Sequence, residues 1–273
     1  MTAAAVLHQA VLRFGVPDTS ISVEERGLYA FPANKDVEEF DFQLRDARTS
    51  PEILPGMAGL DAQGFAFVKH KSALQDSKDW LTGHNVEKTY IPEIEKLACE
   101  VTGGKRAVVM DASFRLKPAD DQIQLDWYRR RGDAIDDQVA LLPKNVTAVY
   151  GREVGAAIEP ARQAHIDYTC QGMRDTARYR RQDIYDMCKK TMEAEDAVAR
   201  GEKHSKEVPR YAAFSAWRPL STVRRDPIAV CDSRSVKADD YAKVLYRAVS
   251  DITGSREYHL EAAWLSPPGE KSD

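Results

Sequence analysis

The chain has 273 residues, with 39 Lys and Arg against 43 Asp and Glu, for a formal net charge of −4. That balance excludes the basic excess of a nucleic-acid binder, and no run approaches the roughly 18 apolar residues of a membrane span. Charged residues at 30% and hydrophobic ones at 43% are those of a soluble globular protein. The length is ample for a core of its own. No repeat or low-complexity linker divides it, so a single domain over 1–273 is expected. Its parts are an irregular N-terminal region over 1–60, a core over 61–265 and a polar tail over 266–273. The first twelve residues lack a basic leader region and contain His8 and Gln9. They read as folded chain rather than a signal peptide, which points to the cytoplasm.

In chain order, the first 60 residues mix short apolar runs with turn formers such as Gly15-Val16-Pro17-Asp18 and Phe31-Pro32-Ala33-Asn34. That mixture predicts an irregular, extended region. A short strand is expected over 64–68. A helix is expected over 91–99, with Pro92 in its first turn and acids near its start. Thr102-Gly103-Gly104-Lys105 ends it, and a strand follows over 106–111. A phosphate loop must follow a strand and open a helix, so this Gly-Gly is not one. The clearest helix spans 182–200, where Ile184, Cys188, Met192 and Val198 keep the 3.6 period. The nearby basic residues Arg178, Arg180, Arg181, Lys189 and Lys190 read as its solvated face. Strands are expected over 211–217 and 227–231, a helix over 238–250, and a last strand over 257–260. The order predicts an α+β protein with a mostly antiparallel sheet.

The four cysteines have no C-x-x-C spacing and read as inert thiols in a reducing compartment. Asn145-Val146-Thr147 fits a glycosylation sequon, which means little without a secretory signal. No G-x-S-x-G or H-E-x-x-H motif is present. The sharpest feature is His165-Ile166-Asp167. On a strand, residues i and i+2 point to one face, so His165 and Asp167 can offer an imidazole and a carboxylate to one metal ion while Ile166 faces the core. Those are two of the three ligands of a 2-His-1-carboxylate iron site, and the third must be a distant His. The plain alternative is a satisfied histidine. His259-Leu260-Glu261 is a second version of the pattern. His8, His70, His84 and His204 have no carboxylate two residues on and read as structural or exposed.

Several ordered segments carry a resemblance. They are His165-Ile166-Asp167-Tyr168-Thr169, Arg174 to Arg181, Phe214-Ser215-Ala216-Trp217-Arg218-Pro219-Leu220 and Val223 to Asp232, with Val86 to Arg115 upstream. Together they resemble the fungal hydroxylase/desaturase family that contains gibberellin desaturase, the AsaB-like enzymes and relatives of the cephem methoxylase component CmcJ. The resemblance implies a double-stranded β-helix (jelly-roll or cupin-like) core with flanking helices. It implies a non-haem Fe(II), 2-oxoglutarate-dependent oxidoreductase that uses O2 to hydroxylate or desaturate a small-molecule secondary metabolite. Carried over, His165 and Asp167 are metal ligands. His259, the last His of the sequence, is the candidate for the third. Arg218 and Arg225 are candidates for a 2-oxoglutarate or substrate carboxylate, since a guanidinium fork suits that group. In the family the third His and a carboxylate-binding Arg lie beyond the equivalent of Trp264, and the sequence ends nine residues after it. The expectation is therefore a β-helix incomplete at its C-terminal end, with unpaired strand edges. Two other readings stand beside it. One is a shortened, inactive homologue that binds a metabolite or partner. The other is a metal-dependent hydrolase.

Overall fold

A computed structural model describes residues 7–16, 20, 22, 37–118, 147–152, 160–202, 210–249 and 257–269. Near the N-terminus, Leu7–Gly15 (β1) and Val37–Arg45 (β2) pair antiparallel. From Glu39 on, β2 alternates polar and apolar residues, and the register sets Leu12 opposite Phe40 and Ala10 opposite Phe42. Phe14 packs edge-on to Phe40 with ring centres 5.7 Å apart, and lies 5.6 Å from Phe42. This corrects the expectation of an irregular N-terminal region.

Three strands build the second sheet: His165–Ile166 (β5), Tyr241–Val249 (β6) and Glu257–Leu265 (β7), in the order β5-β7-β6, all antiparallel. Ala164 links it to the first hairpin by its backbone. Ala164 N donates to Arg13 O at 2.8 Å, and Leu265 N donates to Ala164 O at 2.9 Å. Gly15 meets Trp264 at this seam, where a Cβ would fall 2.3 Å from the indole ring. The helix expected over 238–250 is therefore a strand. Tyr241, Val244, Leu245 and Ala248 fit a helical period, but Ala242, Val244 and Tyr246 also fit a strand's. The ladder to β7 along all nine residues decides between them.

A short parallel pair, Asp111–Ser113 (β3) and Ala148–Tyr150 (β4), lies elsewhere. The strand expected over 106–111 begins only at Asp111, because side chains take the backbone groups before it. Val109 N donates to Glu95 Oε1 at 3.0 Å. Arg181 Nη1 donates to Val109 O at 2.8 Å and to Met110 O at 3.0 Å. The segments 64–68, 211–217 and 227–231 form no strand. The stretch from 210 to 232 crosses the surface without a ladder, leaving Phe214 52% and Trp217 54% exposed.

The helices are Gly56–Gln63 (α1), Ser77–Leu81 (α2), Ile91–Thr102 (α3), Cys170–Tyr179 (α4) and Gln182–Ala199 (α5). Both helices expected at α3 and α5 are present. Gly103, at φ 71°, closes α3 in the left-handed region. Ile184, Cys188 and Met192 of α5 pack on Ala177 of α4 in one core cluster. Trp80, Val86, Ile91 and Phe114 form another. Among the described residues no helix is long and apolar enough to cross a membrane.

The start of α4 is pressed against β7. Thr169 N donates to Glu261 O at 3.0 Å, and a Cβ on Gly172 would fall 1.8 Å from that same oxygen. Backbone cannot yield as a flexible side chain does. Gly172→Ala is expected to destabilise the chain by about 2–3 kcal/mol, the cost of overpacking. Gln171→Ala, on the exposed side of the same turn, should stay within about 0.5 kcal/mol. Urea denaturation of the two variants checks this, and equal midpoints would contradict it.

Candidate active site

Directly opposite residues of an antiparallel pair share a face. His165 pairs with Trp264, so its ring lies on the face of Tyr258, Leu260, Ala262 and Trp264. Asp167, two residues on, reaches the same side. His165 Nε2 stands 3.2 Å from Asp167 Oδ1. Its Nδ1 lies 2.7 Å from Gln163 O, which as an acceptor requires a proton on Nδ1. Nε2 is then the ring atom open to a metal ion or a second proton. Ser215 Oγ donates to Asp167 Oδ2 at 2.8 Å, so the carboxylate is held at both oxygens. Ile166 turns to the other side and is 36% exposed, rather than entering the core as expected.

The pairing shifts both groups. The bond to Asp167 pushes the His165 pKa up against the opposing effect of burial. The bond to His165 pulls Asp167 down, again against burial, with Ser215 adding to it. Further groups face the pair. Burial raises the Asp111 carboxyl, Arg180 opposes that, and the charge of Asp167 adds to it. Burial also raises the phenols of Tyr168 and Tyr246, both within electrostatic reach of Asp167. Trp264 Nε1 donates to Tyr246 OH at 3.1 Å, which closes the floor. Arg115 stands 5.8 Å from the centre of the Trp217 ring and within electrostatic reach of both His165 and Asp167.

The other sequence candidates are elsewhere. His259 lies five residues before Trp264 on β7, and the two-residue period puts it on the opposite face of the sheet. It is exposed, opposite Arg247, and is not brought to the pair. Among the described residues no three His, Cys, Asp or Glu side chains gather as a metal site. Arg218 has a different task from the one expected. Its Nε donates to Tyr90 OH at 3.2 Å and its Nη1 to His70 O at 3.2 Å, while Nη2 meets His70 Nδ1. Its guanidinium also lies 5.3 Å from the Tyr90 ring centre. These contacts clamp the 210–232 segment to 70–90 and occupy the fork that would have taken a carboxylate. Arg225 is exposed beside Asp226, 3.8 Å away, with nothing linking it to His165. His204 and Asn145 lie outside the described residues.

Sequence reasoning missed Ser215, Asp111, Tyr168 and Arg180. Arg180 was grouped with a solvated helical face. It follows the last residue of α4, so the helical period that placed its neighbours no longer applies.

A family model for an oxidoreductase/YMDC permease-like domain matches residues 23–265. The chain belongs to this family. Oxidoreductase chry3 of Gibberella zeae is 28% identical over 92% of this chain and 69% of its own length. The gibberellin cluster GA4 desaturase of Gibberella fujikuroi is 30% identical over 69% of this chain and 59% of its own. The alpha-ketoglutarate-dependent dioxygenase phiK of a fungal species is 24% identical over 78% of this chain and 62% of its own. The chain thus spans between 59% and 69% of these relatives. The family is one of fungal oxidoreductases, desaturases and hydroxylases, as the resemblance at the motifs implied.

Two outcomes follow from this geometry. The raised His165 contributes stability that is complete below its ordinary value and is lost as pH rises through its folded value. The lowered Asp167 contributes stability that is complete above its ordinary value and is lost as pH falls. Both are in place between about pH 4 and about pH 6.5. With chelator present, the wild type should lose more stability than His165→Gln between about pH 6 and about pH 9. Parallel denaturation profiles over that range would refute the pairing. Secondly, Arg218→Gln should release the exposed segment, and chymotrypsin should cut at Phe214 and Trp217 about tenfold faster. An unchanged cleavage rate would show that the clamp carries no weight.

Proposed function

We propose that the chain is a non-haem Fe(II), 2-oxoglutarate-dependent hydroxylase or desaturase acting on a small secondary metabolite with O2. The observation that carries this is the His165–Asp167 pair, held on one sheet face with Nδ1 committed to Gln163 O. A backbone acceptor on the distal nitrogen of a histidine is the usual support of a metal-ligating imidazole. Imidazole plus carboxylate suits iron. The donor set therefore fits two of the three protein positions of such a site, and the remaining ligand is not among the described residues. Membership of an oxidoreductase family and similarity to an alpha-ketoglutarate-dependent dioxygenase support the same reading.

When bound, iron with 2-oxoglutarate and O2 supplies the oxidising power needed to take hydrogen from an unactivated C–H bond. The chain's own residues do the rest. His165 presents Nε2, and Gln163 O fixes the tautomer. Ser215 orients Asp167 so that Oδ1 faces the imidazole. Trp264, Ala262 and Tyr258, at 2%, 3% and 7% exposure, keep water from the floor beneath. In this proposal the β5-β7-β6 sheet is one wall of a double-stranded β-helix, with α4 and α5 flanking it. The free thiols of Cys170 and Cys231, both exposed, support a reducing cytoplasmic location.

Anaerobic titration with Fe(II) tests the reading, followed by succinate release from 2-oxoglutarate. The chain should bind one equivalent of iron, and His165→Ala and Asp167→Asn should each weaken binding by at least about tenfold. Iron affinity that is indifferent to both substitutions would overturn it.

A further inference from the structure

Arg180 differs from every other arginine around α4. Arg174 holds Glu195 and Asp196, and Arg178 reaches Asp196 at 3.6 Å. Arg181 forks onto Asp183 and bonds Val109 O, Met110 O and Thr147 Oγ1. Arg180 makes a single side-chain hydrogen bond among the described residues, from Nη2 to Tyr150 OH at 3.0 Å. No described carboxylate lies within ion-pair distance of it. A guanidinium carries five N–H donors, and among the described residues none of those on Arg180 is buried without an acceptor, so the remaining ones are open to solvent or to a ligand.

Its position explains the residue type only in part. Arg180 caps α4, its N–H bonding Thr176 O at 2.9 Å, and a cation suits that negative end. That role needs no phenol, and the side chain goes to Tyr150. There it lies within electrostatic reach of Asp111 and Tyr258, and Tyr168 lies within reach of Arg180 and Asp167 together. Asp111 lies on β3, whose pairing with β4 sets it near Tyr150, and its side chain is exposed. It is within electrostatic reach of Arg180 without forming an ion pair with it. Beyond its one bond to Tyr150, Arg180 thus offers further donors beside the phenols of Tyr150 and Tyr258.

We propose that Arg180 receives the carboxylate of an organic-acid substrate, with Tyr150 holding the guanidinium in place. A guanidinium fork matches a carboxylate in shape and charge. The tyrosines beside it suit an apolar body attached to that group. The identity of the bound molecule as a substrate rests on the oxygenase reading, whereas the Arg180–Tyr150 geometry does not. The same chemistry has a second source in 2-oxoglutarate, and the test separates the two.

Calorimetric titration of the metal-free full chain uses three probes: 2-naphthoate, its methyl ester and 2-oxoglutarate. The wild type should prefer the acid over the ester by at least about tenfold. Arg180→Gln should abolish that preference, Arg180→Lys should keep part of it, and Tyr150→Phe should reduce it by a smaller factor. Affinity for 2-oxoglutarate should change less than about twofold in Arg180→Gln. Thermal unfolding confirms that the variants are folded, and the Lys and Phe variants serve if Gln is not. Three results would overturn the proposal: no acid preference in the wild type, an undiminished preference in the variants, or a loss confined to 2-oxoglutarate. Because no metal is present, a failed iron titration at His165 would remove the oxygenase reading and leave the acid preference standing.

Discussion

The backbone of β7 is hydrogen-bonded on both sides, to β6 along nine residues and to β5 at His165 and Ile166. Four other features hang on that double pairing. It sets which way His165 points, since a shift of one residue would turn the ring to the far face. It buries Trp264 to 2% exposure, and Gly15 of β1 fits against that indole. It brings Glu261 O to the N–H of Thr169, which starts α4. Through α4 it carries Arg180 to Tyr150 on β4. His165 is therefore held on a ladder, a rigid support, while Asp167 follows it and Ser215 comes from the segment without a ladder.

The pair held there is poised between two uses of one atom. With Nδ1 committed to Gln163 O, Nε2 carries a proton shared with Asp167 or faces a metal ion. The pairing that raises His165 and lowers Asp167 favours the protonated form without metal. A bound divalent cation must displace that proton, so affinity for it rises with pH over the range where the pair loses its own stabilisation. In the proposed iron site, proton and metal would compete for this one atom.

Legibility in the sequence followed the range of the interactions. Helices α3 and α5 were read correctly because local signals make them: proline in a first turn, glycine at the end, a 3.6 period between. His165-Ile166-Asp167 was readable for the same reason, as alternation along a strand is local. Residues 238–250 were misread because Tyr241, Val244, Leu245 and Ala248 satisfy a helical period, while the pairing with β7, a separate segment, decides for a strand. His259 showed the right residue type and spacing, but its face depends on register, which sequence does not display. Arg218 looked like a carboxylate receptor and is a clamp, because its partners His70 and Tyr90 lie more than a hundred residues upstream. Arg180 was hidden in a basic run. Only the end of α4 and the distant Tyr150 set it apart.

The central claim is that His165, and not the other histidine on β7's ladder, is the ligand a metal meets. Nitrogen-15 NMR of the histidine rings during an anaerobic Fe(II) titration addresses it most directly. The account predicts that the Nε2 signal of His165 broadens at the first substoichiometric additions while the ring of His259 is untouched. Broadening at His259 with the His165 ring unaffected would contradict it.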